Sequence, residues 1–483
     1  MAFKLLNRVL IFFGMSIVIV SSAYAEDIDS TQTKQVSKAI SDSIQAVSPS
    51  TIDDGILIDK SIDVEEPRNL PGTAATTSFF SNSKFELLFR NYSEYLRIKD
   101  SASRQAWVQG VQAGFQSGFT EGSIGVAVDA TLFGALKLDG GKGARNMVRV
   151  GPGDAPNQST WAYLGGYGVK VRSPGVLIKY GLQTVFNPFL DPYDIRALPP
   201  KFRGVSLTSE PSTNLSIQAG RFDAVVARGT TSVQSLATSY GGIDVDHFSY
   251  LGADWVYAKD GKLSLYVSQA KDVWNQYYMS TSKSIGDPKA IRWTGRADIY
   301  GTREQGKMKQ DLIDNKSYSL SLNAQHQASS ILLGYQRIYG NSFFDFIQET
   351  SGMYLSNSMG TDFNAPHEQS IQLRYKLDGY TLGLKGFRSE FWGIFGWGTD
   401  GSAEASRHSS ATSKLHDLYW RADKPIQGGH EEYGSKLTYA MQGGCLQGVQ
   451  ISLLLIAHNM TPNYPSKSFR DFRLMIDIPL KVF

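Results

Sequence analysis

The sequence predicts a single antiparallel β-barrel built to cross a membrane, and three observations carry that prediction. Short stretches over most of the chain alternate large apolar with polar residues, the two-residue period of a strand with two unlike faces. The polar face carries Ser, Gln, Asn, Gly and Arg, which suits a watery interior behind an apolar outer belt. The N-terminus reads as a cleavable export signal, which puts such a barrel beyond the inner membrane.

That signal occupies residues 1–25. Lys4 and Arg8 form a basic region, Val9 to Val20 an apolar run broken by Gly14 and Ser16, and Ala23-Tyr24-Ala25 a small-x-small cleavage site. The run is shorter than the roughly 20 residues that a spanning helix needs, so cleavage is expected between Ala25 and Glu26. Cys445 is the only cysteine, which leaves neither a lipid anchor at that site nor an internal disulfide.

Residues 26–83 form an acidic, Ser/Thr-rich periplasmic leader, partly helical or disordered. Val36, Ile40, Ile44 and Val47 recur at helical spacing, Ser48-Pro49-Ser50 ends that segment, and Pro67 and Pro71-Gly72 break the chain again. Of the formal charge of +3, the signal holds +2 and the leader −6, so the body carries +7. Most Lys and Arg are solvated surface charge, but a basic excess lining an aqueous passage would draw anions into it.

Residues 84–483 are the barrel. Phe85, Leu87 and Phe89 alternate with Glu86, Leu88 and Arg90, and Ile124, Val126 and Val128 with Gly125, Ala127 and Asp129. The pattern returns at Leu215–Gly220, Leu263–Ser268, Tyr318–Asn323 and Ile371–Leu377. Asp260-Gly261 and Asp378-Gly379, each flanked by alternating runs, predict two-residue hairpins. In the last strand, Phe472, Leu474, Ile476, Ile478 and Leu480 form the apolar face. At roughly 22 residues per strand and connection, the body holds about 18 strands.

Other classes fit less well. The longest apolar stretch, Ile451 to Ala457, is interrupted by Ser452, which excludes a helical inner-membrane protein. No fixed-period repeat marks a propeller or solenoid. No Gly-x-Ser-x-Gly elbow, His-Glu-x-x-His helix or phosphate loop appears, and the seven histidines read as solitary residues rather than metal ligands. No cofactor, metal or nucleic-acid partner is expected.

Several stretches, in order, resemble the OprD-type family of outer-membrane porins: Gln109–Thr120, Val128-Asp129, Lys137–Asp139, Asp194–Ser209, Ala219–Asp223, Asp314–Ser319, Gly334–Arg337, Asp362–Pro366 and Phe472–Leu480. The resemblance implies a barrel in the Gram-negative outer membrane, narrowed by two inward-folded loops. Implied too are a ladder of basic residues and an acidic patch that together pass small carboxylate-bearing nutrients. Arg196 matches the family's constriction arginine, Asp362 the acid of the second loop, and Ser358 lies in its Leu-Ser-Asn-Ser run. Where many members read Gly-Asp-Ser, this chain has Thr350-Ser351-Gly352, so one acid is missing.

Ladder candidates are Arg374, Lys376 and Arg473 by strand parity, Arg90 on the Glu86 face, and Arg203, Arg221, Arg337 and Arg388 from the family-like segments. A guanidinium fork can take a carboxylate bidentately and pass it on. With an acid missing, small or aromatic carboxylic acids are expected over basic amino acids. The expected partners are outer-membrane lipids, the barrel-assembly machinery during insertion, and at most a loose homotrimer of what is otherwise a monomer. The competing readings are a barrel enzyme (a lipase or protease) and an adhesin or structural barrel.

Overall fold

A computed structural model describes residues 78–101, 103–138 and 160–483. The export signal, its cleavage point and the leader helix lie outside the described residues. Eighteen strands form one antiparallel sheet that closes on itself. They are β1 (Lys84–Ile98), β2 (Arg104–Gln116), β3 (Gly125–Lys137), β4 (Thr160–Ser173), β5 (Val176–Gln183) and β6 (Lys201–Ser212). Next come β7 (Leu215–Val226), β8 (Phe248–Ala258), β9 (Gly261–Ala270), β10 (Trp274–Gly286), β11 (Arg292–Glu304) and β12 (Asp314–His326). The last six are β13 (Ser329–Tyr339), β14 (Gln369–Asp378), β15 (Phe387–Trp397), β16 (His430–Ala440), β17 (Gln450–Met460) and β18 (Phe469–Lys481).

Each strand pairs with its sequence neighbours, and β1 pairs with β18 from Glu86↔Lys481 to Ile98↔Phe469. Closure leaves no open edge, the condition for a sheet to survive in hydrocarbon, where an unpaired backbone group finds no water.

The faces sort as the alternation requires. Val126, Val128, Leu132 and Leu136 of β3 are exposed on the outside, and Ala127, Thr131, Phe133 and Lys137 are buried inside. Leu265 and Val267 of β9, Leu320 and Leu322 of β12, and Ile371 and Leu373 of β14 continue the outer belt. Ser264, Ser268, Ser317, Ser319, Ser370 and Gln372 line the interior.

Connections differ sharply between the two ends. At one end lie the two-residue turns 174–175, 213–214, 259–260 and 327–328; at the other lie the long loops 184–200, 227–247, 340–368 and 398–429. In outer-membrane barrels the long loops face outside. The Asp260-Gly261 hairpin forms as expected. The Asp378-Gly379 hairpin does not: Asp378 caps a short 3-10 turn through Tyr380 N–H, and β15 begins only at Phe387.

Three long loops fold back into the barrel and pack on the wall from β6 to β11. Phe189 and Leu190 from the β5–β6 loop, Leu236 and Ile243 from the β7–β8 loop, and Phe344, Ile347 and Met353 from the β13–β14 loop join Phe222, Phe248, Trp274 and Tyr300 in one dry cluster.

Candidate functional site

The β5–β6 and β13–β14 loops meet inside the barrel. An isolated bridge joins Pro192 to Thr350. Tyr193 N–H donates to the Glu349 carbonyl, and Ser351 N–H to the Asp191 carbonyl. Side chains reinforce the seam: Asp191 accepts from Ser351 Oγ at 2.8 Å and Tyr354 OH at 3.1 Å. Burial pushes the Asp191 carboxyl up to about 7, against the pull of those two donors. Ser351, which stands where the family pattern has an acid, therefore serves as a stitch between the loops.

The stitched loops present Arg196 to the opposite wall. Burial, with the charges of Arg228 and Arg104, lowers its pKa to about 10, so it stays cationic at neutral pH. Arg228 donates to Glu349 at 2.6 Å and lies over the Tyr193 ring at 4.6 Å. Burial raises the Glu349 carboxyl and Arg228 outweighs it, leaving the group below its usual range. On the barrel wall, Arg104 grips Glu94 with two bonds of 2.7 and 2.8 Å. Arg473 reaches Glu94 at 3.3 Å and Asp471 at 2.5 Å. Four guanidiniums thus gather here among Glu94, Glu349 and Asp471, inside a low-dielectric frame where charges act strongly on one another.

The acid expected opposite them is tied down. Asp362 accepts from Ser358 Oγ at 2.8 Å and Tyr240 OH at 2.9 Å. Burial pushes its pKa up, and those donors and His430 oppose the rise. Its neighbours are anchored through Glu432, which accepts from Gly360 N–H, Thr361 Oγ1 and Trp392 Nε1.

The ladder candidates separate into groups. Arg374 and Lys376 face inward and share Glu390 at 3.4 and 3.7 Å. Arg473 faces inward as described, and Arg388 shares the inward parity of Glu390 at the short-turn end. Arg90 is inward but fully buried, bonded to Asp477 at 2.8 Å and Asp194 at 2.6 Å, a strut rather than a rung.

Three candidates are corrected. Arg203 points outward with Val205 and pairs with exposed Asp223 at 2.8 Å. Arg221 lies on the outer face, opposite Ser249 in the row beside exposed Leu251. Arg337 shares the outer parity of Ile331 and Leu333 and lies over the Tyr339 ring.

Other lumen cations were not singled out from sequence: Lys137 over Trp161, Lys201 over Phe133, and Lys170 and Lys179 on Asp129 at 2.9 and 3.1 Å. Arg104 and Arg228 join them. Lys170 sits between Val169 and Val171, and Lys137 follows Leu136, so strand parity carried the signal for both. Arg228 lies in a loop, where parity gives none.

The histidines are not all solitary. His430 Nδ1 lies 2.5 Å from His458 Nε2, and His430 Nε2 lies 3.0 Å from Glu368. Both nitrogens of one ring are engaged with different partners, which does not converge on a metal ion, and among the described residues no such cluster is found.

The family model described as outer membrane porin, OprD family, matches residues 77–482. The chain belongs to this family. It is an outer-membrane channel of a Gram-negative cell envelope, and members of the family are channels rather than enzymes. Porin D of Pseudomonas aeruginosa is 28% identical over 425 residues, 85% of this chain and 93% of that protein. Porin-like protein GalP of Pseudomonas putida is 24% identical over 374 residues, 73% of this chain and 89% of that one. Among solved structures, Pseudomonas aeruginosa OccD3 (OpdP) superposes with a TM-score of 0.74 at 30% identity, covering 84% of this porin and 93% of that chain. Pseudomonas aeruginosa OpdK with vanillate gives 0.73 at 25% identity, covering 84% of this porin and all of that chain.

Proposed function

We propose that this porin passes small water-soluble carboxylates down their gradient, and that it favours small or aromatic carboxylic acids over basic amino acids. The observation that supports the reading is the gathering of four guanidiniums, Arg104, Arg196, Arg228 and Arg473, around the seam of the two infolded loops. A carboxylate entering there accepts the charge-assisted bonds that a guanidinium offers. An ammonium group would need an ionised acid opposite. Asp362 is buried with its carboxylate already taken by Ser358 and Tyr240, and Ser351 stands where the family pattern has a second acid. Transport also needs each site to release what it takes, which several moderate cation sites along the wall achieve better than one tight site. OpdK was solved with vanillate, an aromatic carboxylate, which agrees with this reading.

Liposomes carrying the mature barrel test it. Uptake of small carboxylates is expected to exceed that of their size-matched neutral amides, and Arg196→Ala to erase the difference. Equal uptake of acid and amide by the unmodified barrel, or stronger competition by arginine than by benzoate, would overturn the reading. Insertion through the barrel-assembly machinery and a monomeric or loosely trimeric state belong to the same proposal. Cross-linking in native outer membranes separates monomer from trimer.

A further inference from the structure

The outer face carries a charge arrangement that the transport reading does not use. Arg97 of β1 and Arg470 of β18 are register partners, side by side on the outside of the barrel near its long-loop end. Both are exposed. Arg97 makes no hydrogen bond or ion pair among the described residues. Arg470 donates only to neutral oxygens: the carbonyls of His458 and Phe469, and Asn459 Oδ1 at 2.7 Å. Lys99 and Lys467 lie in the adjoining connections, and Lys467 bonds to the Asp100 carbonyl and Ser101 Oγ rather than to a carboxylate. Asp100 is the acid in these two connections, and Glu431, two strands away, is held by Asn459 and Tyr433. Like charges placed directly opposite on adjacent strands destabilise a sheet.

Running from this row toward the middle of the belt, strands β1 and β16–β18 form an apolar groove of about 430 Å³ that Arg470 itself borders. Tyr95, Phe472, Leu455 and Ser435 line it in one row, and Ala457 and Tyr433 line it level with Arg470. The register places Tyr95 beside Phe472 and Phe472 beside Leu455, one step below the Arg97–Arg470–Ala457 row. Two residues along a strand advance about 7 Å, the offset between a lipid headgroup and the start of its acyl chain.

We propose that this face binds one phosphorylated, multiply acylated glycolipid of the outer leaflet, its phosphate on Arg97 and Arg470 and an acyl chain in the groove. Two guanidiniums can take phosphate bidentately, which turns a repulsive pair into a binding site. Scattered rim cations would serve as general anchors, but they do not need to face one another above a groove.

The test is thermal unfolding of the full barrel in detergent, with native mass spectrometry of the bound lipid. The probes are bis-phosphorylated lipid A, its phosphate-free analogue and inorganic phosphate. Lipid A is expected to bind and to raise Tm. The phosphate-free analogue and inorganic phosphate are each expected to do markedly less. Arg97→Gln and Arg470→Gln should each weaken lipid A binding at least about fivefold. Without lipid, each should leave Tm unchanged or raised, because the like-charge contact is relieved. Ser435→Phe keeps both arginines and fills the groove in the Phe472–Leu455 row, and should weaken lipid A binding without changing any response to inorganic phosphate. Equal binding of the phosphate-free analogue, a full effect from inorganic phosphate alone, or undiminished lipid A binding by the arginine variants would overturn the proposal.

Discussion

The two halves of the lumen wall are built from the same kind of strand and carry opposite contents. From β6 to β11 the inward positions hold Phe222, Phe248, Tyr250, Tyr266, Tyr278 and Tyr300, packed against the infolded loops like the core of a soluble protein. From β14 through β18 and on to β5 they hold Arg374, Glu432, Arg473, Arg90, Glu94, Lys137 and Lys170. The first half packs most of the loops' apolar side chains, and the second carries the charged ones and adds polar tethers such as Arg90 to Asp194 and Glu432 to Thr361. The difference teaches that much of the infolded loops' anchoring lies on the aromatic half, away from the charged side chains that the proposed transport uses. The loop is gripped from both halves: Phe189 and Leu190 join the aromatic cluster, while Ala197 and Leu198, beside Arg196, pack with Tyr92, Val108, Phe133 and Trp161.

The largest expected break in this arrangement is Phe344→Ala. Phe344 meets the Tyr300 ring edge-on at 4.9 Å, and its removal should cost about 3–5 kcal/mol. A lower urea midpoint and noisier single-channel current would report it. An unchanged current would mean that the dry half does not position the constriction.

Glu432→Ala tests whether the charged half also holds the loop. It strands the Trp392 and Gly360 N–H groups and the Thr361 hydroxyl, at about 1–3 kcal/mol for a buried group left unmet. The β13–β14 loop should then become sensitive to proteolysis while the aromatic cluster stays folded. A resistant loop would assign its anchoring wholly to the dry half.

The Asp191 stitch makes a pH prediction with a definite sign. Its carboxyl titrates near 3.8 when unfolded and about 7 when folded, so the folded state binds the extra proton between those values. Stability from this group is greatest below about pH 4, falls as pH rises to 7, and is flat above that. Unfolding midpoints measured across pH 4 to 7 should fall for the unmodified barrel and fall less for Asp191→Asn, which still accepts from Ser351 and Tyr354. Identical slopes would remove Asp191 from the account.

The smallest effects sharpen the assignment of faces. Arg473→Ala should reduce anion preference, read as a shift in reversal potential across a salt gradient. Arg203→Ala, Arg221→Ala and Arg337→Ala should leave that potential unchanged, because those side chains lie outside the barrel.

The residue pattern made the barrel legible because a lipid-facing strand must show one apolar side, and β9, β12 and β14 do so almost without exception. Parity also placed Arg374, Lys376 and Arg473 inside correctly. It would have rejected Arg221, which alternates in phase with Ile217 and Ala219, and Arg337, in phase with Ile331 and Leu333. Those two were proposed on family likeness instead. The constriction itself was legible only as single residues. Its pairings join positions more than a hundred residues apart, as in Asp191 with Ser351 or Arg90 with Asp477, and no local period encodes such contacts. The stitching role of Ser351 was invisible for the same reason: in sequence it reads as the loss of an acid.

Arg90 has a consequence for the order of assembly. It belongs to the first strand, and its guanidinium holds Asp477 of the last strand and Asp194 of the β5–β6 loop at once. The latch that fixes the narrow loop therefore has one jaw that arrives only when the sheet meets its own beginning. Sealing the cylinder and bracing the inward loop thus share one side chain, so a change at Arg90 touches both.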